Sequence, residues 1–510
     1  MRGGLAMAFL FPGVTAAAVL SFPAPRAAAD ATEDAVRAFR RAYDARDSRV
    51  RRKAVGLLDD VPGPAATAAL LPALADDSSS VRERARDVLA SRTGDGDLAV
   101  LASDGLRHPE VEVRRRCADA LAFAGAGASP HAEPLSRLLR DRDPTVRESA
   151  AAALGATGHR GQASVVAAAL RKERVPEVRG ALLLALHLLD AGEAAEEARR
   201  TAARDRDGPP CTAALRVLGA SDPAGAVLAA RGLLDHGAWE VRIAAAGVLG
   251  REGRDRVAVE ALLGALRREE RTRVLAALGA ALEKVTGVPL GEDPDRWRKW
   301  WDEHGREWSP RTPPPGGRPP PPATGDGHTV ARFYDIPVDG DRLAFVIDTS
   351  RSMTDPARLG EEATKMQLAI AEIAKTLGSL RTGMSFNLVA FDTEVRRWQP
   401  RSVPATPGSK HEALRFLQKQ QLEGRTNIFD ALAAALEDPE VDTAFLLTDG
   451  APSAGEETGR TGFLHGLAHL RRWRPVRVHC VEVGRSNTGS RWRGFLEEVA
   501  AAADGIHVAR

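Results

Sequence analysis

One nine-residue pattern recurs through the first half of the chain at an almost constant interval. It runs VRRKAVGLL, VRERARDVL and VRRRCADAL in its first three copies. The eight copies begin, 31 to 33 residues apart, at Val50, Val81, Val113, Val146, Val178, Pro210, Val241 and Thr272. A period of this length is typical of stacked supersecondary units, because one unit cannot bury its apolar face alone. The sequence therefore predicts a repeat array in this half of the chain.

The residue types at fixed offsets within the pattern predict a helix with one buried face. The fourth residue after the lead is Ala in six copies, and the eighth is Leu in seven, with Ala280 as the exception. Residues spaced by four lie on one face of a helix, so each copy has an inward stripe with a small side chain at its centre. Cys117 occupies one of the alanine positions, which indicates a small buried hydrophobe and not a reactive thiol.

Another apolar-periodic segment precedes each copy, for example AATAALLPAL or VAVEALLGAL, and polar turns separate the two segments. In one such turn Asp143 can cap the following helix, and Pro144 suits its first turn. This arrangement of paired helices resembles HEAT repeats, in the short Val-Arg-marked form also seen in bilin-lyase-type proteins. The resemblance implies an all-α solenoid that presents binding surfaces, and it says almost nothing about activity.

Four tryptophans follow the last copy, at Trp297, Trp300, Trp301 and Trp308. Their helical spacing predicts a cap over the end of the solenoid, which would then span residues 33–308; an aromatic stripe for a ligand is the alternative. Residues 309–328 hold eight prolines without apolar periodicity, which predicts an extended linker. A docking ligand for an aromatic groove is the alternative interpretation. Because this linker lacks apolar anchors, we expect the two halves to fold independently.

The periodicity changes beyond the linker, in residues 329–510. Short apolar strands LAFVID, MSFNLVAF, AFLLTD and VRVHCVEV alternate with helical stretches such as ATKMQLAIAEIAKTL and IFDALAAAL. This alternation predicts an α/β doubly wound (Rossmann-like) domain, with a mostly parallel sheet and helices on both faces. In such sheets, ligands bind outside the carboxyl ends of the strands.

Oxygen-bearing side chains collect at those strand ends. The segment FVIDTSRSM supplies Asp348, Ser350 and Ser352, while Thr426 in GRTNIFDAL and Asp449 in FLLTDG occupy matching positions. Two carboxylates and three hydroxyls without nitrogen or sulfur favour Mg²⁺, Mn²⁺ or Ca²⁺ over zinc. For any one of these residues a helix cap or an ordinary turn is the simpler interpretation. Five in register on the right strand ends make a metal site the better hypothesis.

The order Asp-x-Ser-x-Ser, then a distant Thr, then a distant Asp resembles the metal-ion-dependent adhesion site of von Willebrand factor type A (VWA) domains. The resemblance covers about residues 333–510 and implies a divalent ion at the top of the sheet. It also implies that the hydroxyls ligate the ion directly or after a rearrangement. The aspartates would act directly or through water, and an acidic residue of a partner would complete the coordination shell. Arg351 departs from the pattern, because many relatives carry Gly there. Its charge could recruit an acidic partner or repel the metal.

Composition and motifs argue against several other functions. Basic and acidic residues number 71 and 69, so the net charge of +2 gives no case for nucleic-acid binding. Three scattered cysteines are too few for a disulfide framework or a zinc site. The sequence has no phosphate-binding Gly-x-x-x-x-Gly-Lys-Ser/Thr loop, no nucleophile elbow and no second Asp-Thr-Ser loop for an aspartic protease. We therefore expect a protein that is not an enzyme, with a hydrolase as the remaining alternative.

The N-terminus has the features of an export signal. Arg2, the apolar stretch 5–22 and small residues around Ala29 predict a signal peptide over residues 1–29. A Pro-Gly pair interrupts the stretch and weakens it as a membrane span, and a retained N-terminal anchor is the alternative. Most of the cationic residues are arginine, which is typical of a GC-rich bacterial genome.

These features together predict an exported interaction protein, periplasmic or extracellular. The VWA-like domain would use its metal, Mg²⁺ or else Mn²⁺ or Ca²⁺, to engage an acidic group on a protein partner. The HEAT-like solenoid would offer a second interaction surface. A purely structural scaffold with a vestigial or structural metal site is the alternative.

Overall fold

The computed structural model describes residues 26–309, 331–357, 362–484 and 492–510. The predicted signal peptide lies outside these residues except where the first helix begins at Arg26, and the predicted linker lies outside them except for Ser309. None of the described helices combines the length and apolarity needed to cross a membrane.

The N-terminal region consists of eight helix pairs. The first helices of the pairs are α1 Arg26–Tyr43, α3 Pro64–Leu70, α5 Asp95–Val100, α7 Ala132–Leu138, α9 Ala163–Leu170, α11 Ala191–Arg204, α13 Pro223–Leu233 and α15 Arg256–Arg268. The second helices are α2 Ser48–Gly56, α4 Ser79–Ala90, α6 Val111–Ala124, α8 Pro144–Thr157, α10 Pro176–Leu189, α12 Gly208–Ser221, α14 Trp239–Glu252 and α16 Thr272–Thr286. Successive second helices pack on one another and form a continuous row, as a solenoid requires.

The predicted inward stripe is buried in most of the second helices. Val146, Ala150 and Leu154 of α8 are fully buried, and the equivalent residues of the second to seventh repeats are also buried. The first repeat differs, because Val50 is 41% exposed at the end of the row, where no earlier second helix covers it. Cys117 is buried and free, as its place in the pattern predicted, and burial raises the pKa of its thiol.

The predicted register of the eighth repeat was wrong by two residues. The lead is the third residue of the other second helices, whereas Thr272 is the first residue of α16. The buried stripe of α16 is Val274, Leu278 and Leu282, each at most 1% exposed, while Ala280 is exposed. Ala280 is therefore not an exception to the leucine rule, since it does not belong to the stripe.

The tryptophan-rich segment forms α17, Pro294–His304, against the last repeat. Trp297 is fully buried and donates its indole N–H to the Gly291 carbonyl at 2.7 Å. The guanidinium of Arg256 lies 5.0 Å from the ring centroid of Trp301, which joins α15 to this segment. These contacts are those expected of a cap.

The C-terminal region is a twisted sheet between two helical layers. Its strands are β3 Arg342–Asp348, β4 Ser385–Phe391, β5 Val395–Arg397, β6 Val403–Pro404, β7 Thr443–Thr448, β8 Arg477–Glu482 and β9 His507–Ala509, preceded by a hairpin of β1 Arg332–Phe333 and β2 Ile336–Pro337. The order is β5-β4-β3-β7-β8-β9, with β6 beside β4; β5 and β6 are antiparallel and the other strands parallel. The helices are α18 Lys365–Ser379, α19 Pro407–Gln418, α20 Ile428–Leu436, α21 Arg460–Leu470 and α22 Phe495–Ala502. This is the predicted doubly wound α/β fold.

Alternate residues of β3 face the two helical layers. Phe345 and Ile347 belong to the core formed with α18 and α19. Ala344 and Val346 belong to the core formed with α20, α21 and α22, and this second core is continuous with that of the solenoid. The sheet domain and the solenoid therefore share buried apolar surface.

The inner row of second helices contacts the sheet domain along most of its length. Each second helix from α4 to α16 provides a contact, through Arg82, Arg116, Glu148, Gly180, Arg216, Trp239 and Arg273. Trp239 is 2% exposed and donates its indole N–H to the Pro439 carbonyl at 3.2 Å. Arg273 is 9% exposed and donates to the carbonyls of Asp442 and Pro475 at 2.9 and 2.8 Å. No pattern in the sequence indicates this interface.

Candidate metal centre

The candidate ligands lie at the carboxyl ends of two neighbouring parallel strands. Asp348 is the last residue of β3, and Asp449 directly follows β7. The two strands pair in register from Leu343 with Thr443 to Ile347 with Leu447, so both aspartates come to the same edge of the sheet. Two aspartates that are far apart in the sequence therefore lie close together in the structure.

Hydrogen bonds join four of the five predicted residues into one chain. Asp348 accepts from the backbone N–H of Ser350 at 2.8 Å through Oδ1 and from the Thr448 hydroxyl at 2.5 Å through Oδ2. The hydroxyl oxygens of Ser350 and Ser352 lie 3.3 Å apart, and the Ser352 hydroxyl donates to Asp449 Oδ1 at 2.8 Å. The Asp348 and Asp449 carboxylates are therefore linked to each other through Ser350 and Ser352.

Thr426 lies beside this group and is held by the segment that follows Asp449. Its backbone N–H donates to the Ser453 hydroxyl at 3.0 Å, and its carbonyl accepts from the Ser453 N–H at 2.8 Å. Its hydroxyl oxygen is 3.8 Å from the place where a Cβ on Gly450 would lie. Thr426 is thus brought to the same edge, next to the Asp449-Gly450 turn, although no described hydrogen bond joins it to the two serines.

Asp348 is a fully buried carboxyl group. Burial raises its pKa to about 7, nearby Asp449 raises the pKa further, and the bonds from Ser350 and Thr448 oppose the shift. No Lys, Arg or His side chain of the described residues forms an ion pair with it. An ion with two positive charges at this position would favour the ionised carboxylate.

Lys365, which the sequence did not single out, places a positive charge on the other carboxylate. Its Nζ donates to Asp449 Oδ2 at 2.7 Å, and the two side chains are 9% and 1% exposed. Asp355 is a more distant partner at 3.8 Å. The lysine stem passes under Gly484, where φ is +80° and a Cβ would lie 2.7 Å from the lysine Cε. Backbone from the end of β8 therefore fixes the direction of this side chain.

The donor set fits a hard divalent ion. Within the described part of the chain no group of three or more His, Cys, Asp or Glu side chains could hold a metal, and this set has two carboxylates. Asp348, Ser350, Ser352, Thr426 and Asp449 would hold the ion through oxygen, as Mg²⁺ and Mn²⁺ prefer. Lys365 cancels one of the two negative charges and opposes binding by repulsion. Arg351, which is exposed, lies between the two serines in sequence.

Comparison with known families agrees with this geometry. Residues 341–508 match the family profile of the von Willebrand factor type A domain. The chain contains a VWA domain. Residues 101–187 match the family profile of HEAT repeats, which corresponds to the middle of the solenoid. The predicted HEAT repeats and the predicted VWA domain are confirmed.

Two curated relatives each match a third or less of the chain. Human von Willebrand factor A domain-containing protein 3A is 29% identical over 164 residues, which cover 32% of this chain and 13% of the relative. Inter-alpha-trypsin inhibitor heavy chain H1 of Mesocricetus auratus is 33% identical over 144 residues, covering 26% of this chain and 15% of the relative. The chain thus spans a small part of the length of these relatives.

Among the solved structures that resemble part of this chain, one example covers about half of it. The complex of CpcE and CpcF of phycocyanin lyase from Nostoc aligns with 49% of this chain and 97% of that chain, at 21% identity and a TM-score of 0.26. A likeness at that TM-score carries no inference about function.

Proposed function

We propose that the VWA domain is a divalent-metal-dependent binding module that engages an acidic group on a protein partner. The observation that carries this proposal is the environment of Asp348, a fully buried carboxyl group within the hydrogen-bonded chain of Ser350, Ser352 and Asp449. A buried carboxylate is stable only when it is paired or bound to a metal. A bound ion would supply that charge and leave coordination positions for a partner's carboxylate.

The protein that carries this module is an exported interaction protein without catalytic activity, in our proposal. The N-terminal signal supports export, and the missing catalytic motifs support a binding role. The VWA domain and the similarity to VWA-containing relatives support an interaction role. The solenoid then serves first as the support of the VWA domain, since its inner row of helices contacts that domain.

Calorimetric titration of the full chain with Mg²⁺, Mn²⁺ and Ca²⁺ tests the proposal. Replacing Asp348 with Ala removes one of two carboxylates, and we expect metal affinity to fall at least tenfold, which is about 1.4 kcal/mol. The fold should survive, because Asp348 ends its strand. A parent protein that binds no divalent ion at millimolar concentration would contradict the proposal.

Asp442→Ala is the matched control. Asp442 is also fully buried and precedes β7, at the opposite end of the sheet from Asp449. Its replacement removes an equally buried carboxyl group without touching the candidate site. Metal affinity should stay within twofold of the parent, and a loss as large as that of Asp348→Ala would mean that both variants act through misfolding.

One observation favours a second candidate function, a structural scaffold whose metal site is vestigial. Lys365 already neutralises Asp449 without a metal. Pull-down of exported proteins with and without a chelator separates the two functions. Partner capture that chelation abolishes supports the metal-dependent module, and capture that chelation leaves unchanged supports the scaffold.

A further inference from the structure

The segment between Asp449 and α21, residues 450–459, connects the candidate metal site to the solenoid. Near one end, Ser453 holds both the N–H and the carbonyl of Thr426. Farther along, the Glu456 N–H donates to Asp430 Oδ1 of α20 at 2.9 Å. This short segment therefore directly follows one candidate ligand, Asp449, and fixes the backbone of another, Thr426.

Two solenoid arginines hold the side chain of Glu456. Arg82 of α4 donates to Oε2 at 2.9 Å, and Arg116 of α6 donates to Oε1 at 2.6 Å. Their side chains are 13% and 4% exposed, while that of Glu456 is 37% exposed. Arg115 is a weaker partner at 3.7 Å. Each carboxylate oxygen thus has its own guanidinium donor, an arrangement that fixes position as well as charge.

The adjoining residue strengthens the same contact. Arg86 of α4 donates to Glu457 Oε1 at 2.6 Å, and the Glu457 side chain is 9% exposed. A Cβ on Gly462, in the first turn of α21, would lie 2.1 Å from an Arg86 nitrogen. The Arg86 guanidinium therefore packs directly against the first turn of α21.

The partner of Arg82 is an exception to a rule that five other repeats follow. In five repeats the arginine that follows the lead forms an ion pair with an acidic residue 25 to 27 positions later: Arg51 with Asp76, Arg114 with Asp141, Arg147 with Glu173, Arg179 with Asp205 and Arg242 with Glu269. The corresponding positions after Arg82 are Arg107, His108 and Pro109, none of which is acidic. Arg82 makes the usual carbonyl bonds at its own turn through Nη1 and donates from Nη2 to Glu456. In this repeat, Glu456 of the VWA domain takes the place of the acidic residue that the solenoid itself lacks.

We propose that Arg82 and Arg116 are positioning residues of the metal site, acting through Glu456 on segment 450–459. This inference rests on the proposed metal binding. When the solenoid holds the segment, Asp449 and Thr426 are ordered before an ion arrives, so the site binds with less ordering cost. When the contact is lost, a smaller fraction of molecules has the competent arrangement, and apparent affinity falls by that fraction.

Mn²⁺ titration of full-length variants tests the inference. We expect the double variant Arg82→Ala/Arg116→Ala, and separately Glu456→Ala, to bind Mn²⁺ at least fivefold more weakly than the parent. Arg116→Lys retains a positive charge beside Glu456, so its Mn²⁺ affinity should be closer to that of the parent than the affinity of the double variant is. Hydrogen exchange of residues 450–459 should rise in the two weakened variants.

The matched control is Arg147→Ala, in which an arginine of the same repeat position loses a partner, Glu173, within the solenoid. It should leave Mn²⁺ affinity and hydrogen exchange of residues 450–459 unchanged. This result would show that a general loss of solenoid stability does not account for weaker Mn²⁺ binding in the other variants. A parent that binds Mn²⁺ while the Arg82/Arg116 and Glu456 variants bind it equally well overturns this inference alone. A parent that does not bind Mn²⁺ overturns the proposed function and this inference with it.

Discussion

Replacing Lys365 with Met tests how the metal site manages its charge. The substitution keeps most of the aliphatic stem that lies under Gly484 and removes the ammonium group from Asp449. Both side chains are nearly inaccessible, at 9% and 1% exposure. Removing one partner of a buried ion pair costs about 3–5 kcal/mol, because the remaining charge is left without compensation. We expect the metal-free variant to lose about that much unfolding free energy.

A bound divalent ion should restore part of this loss, since it supplies the charge that Lys365 supplied. If the ion recovers about 2 kcal/mol, its Kd falls roughly thirtyfold relative to the parent. Thermal unfolding in chelator and at saturating Mg²⁺ measures the stability difference, and calorimetric titration measures Kd. The variant should therefore be less stable than the parent without metal and should bind metal more tightly.

Lys375→Met is the control on the same helix. The Lys375 side chain is 68% exposed and lies 3.3 Å from Glu372, and an exposed pair of this kind contributes less than about 1 kcal/mol. Its replacement should change neither stability nor Kd appreciably. The reasoning is refuted if Lys365→Met loses the same stability in chelator and in Mg²⁺ and keeps the parent's Kd, because the ion and the lysine would then not share Asp449.

Three further predictions concern the rest of the chain. Leu154→Ala should lower the unfolding free energy by about 2–5 kcal/mol, because Leu154 is fully buried. Leu228→Ala, at a position that is 69% exposed, should lower it little, and denaturant unfolding of both variants measures the difference. Burial lowers the pKa of His479 to about 4, and repulsion from Arg477 and Arg273 contributes to this shift in the same direction. Between pH 6.5 and 4, His479 is therefore protonated in the unfolded chain but not in the folded chain. Unfolding free energy should therefore fall by up to about 3 kcal/mol as the pH drops from 6.5 to 4, and His479→Gln should flatten this profile. Proteolysis between Ser309 and His328 should leave two fragments that co-elute in gel filtration, since Trp239 and Arg273 bury contacts across the interface; separate elution would contradict the interface.

The solenoid was predictable because its signal is repeated. A mistake in one copy does not change the period, so the fold was correct although the stripe of α16 was misplaced at Thr272. The error has a local cause: TRVLAALGA offers apolar residues in two registers, and only the helix start distinguishes them. Propensity and period locate a helix, whereas its exact inward face depends on packing.

The metal-site residues were predictable in a different way. Asp348, Ser350 and Ser352 are close in sequence, and the parallel strands bring Asp449 beside them. Lys365 could not be found by that reasoning, because its approach to Asp449 depends on the start of α18 and on the backbone at Gly484. A single lysine at a helix start has no pattern that marks it as a partner of a buried carboxylate.

Local sequence patterns do not predict the contacts between the solenoid and the VWA domain. Arg82 and Glu456 are 374 residues apart, and the arginine looks like every other arginine at its repeat position. Only the missing acid at positions 107–109 indicates that its partner lies elsewhere. A partner that binds the inner row of helices would have to displace the VWA domain, and displacement would release segment 450–459 from Arg82 and Arg116. Binding at the inner face and metal binding at the sheet edge would then oppose each other, and by linkage each would weaken the other by the same factor.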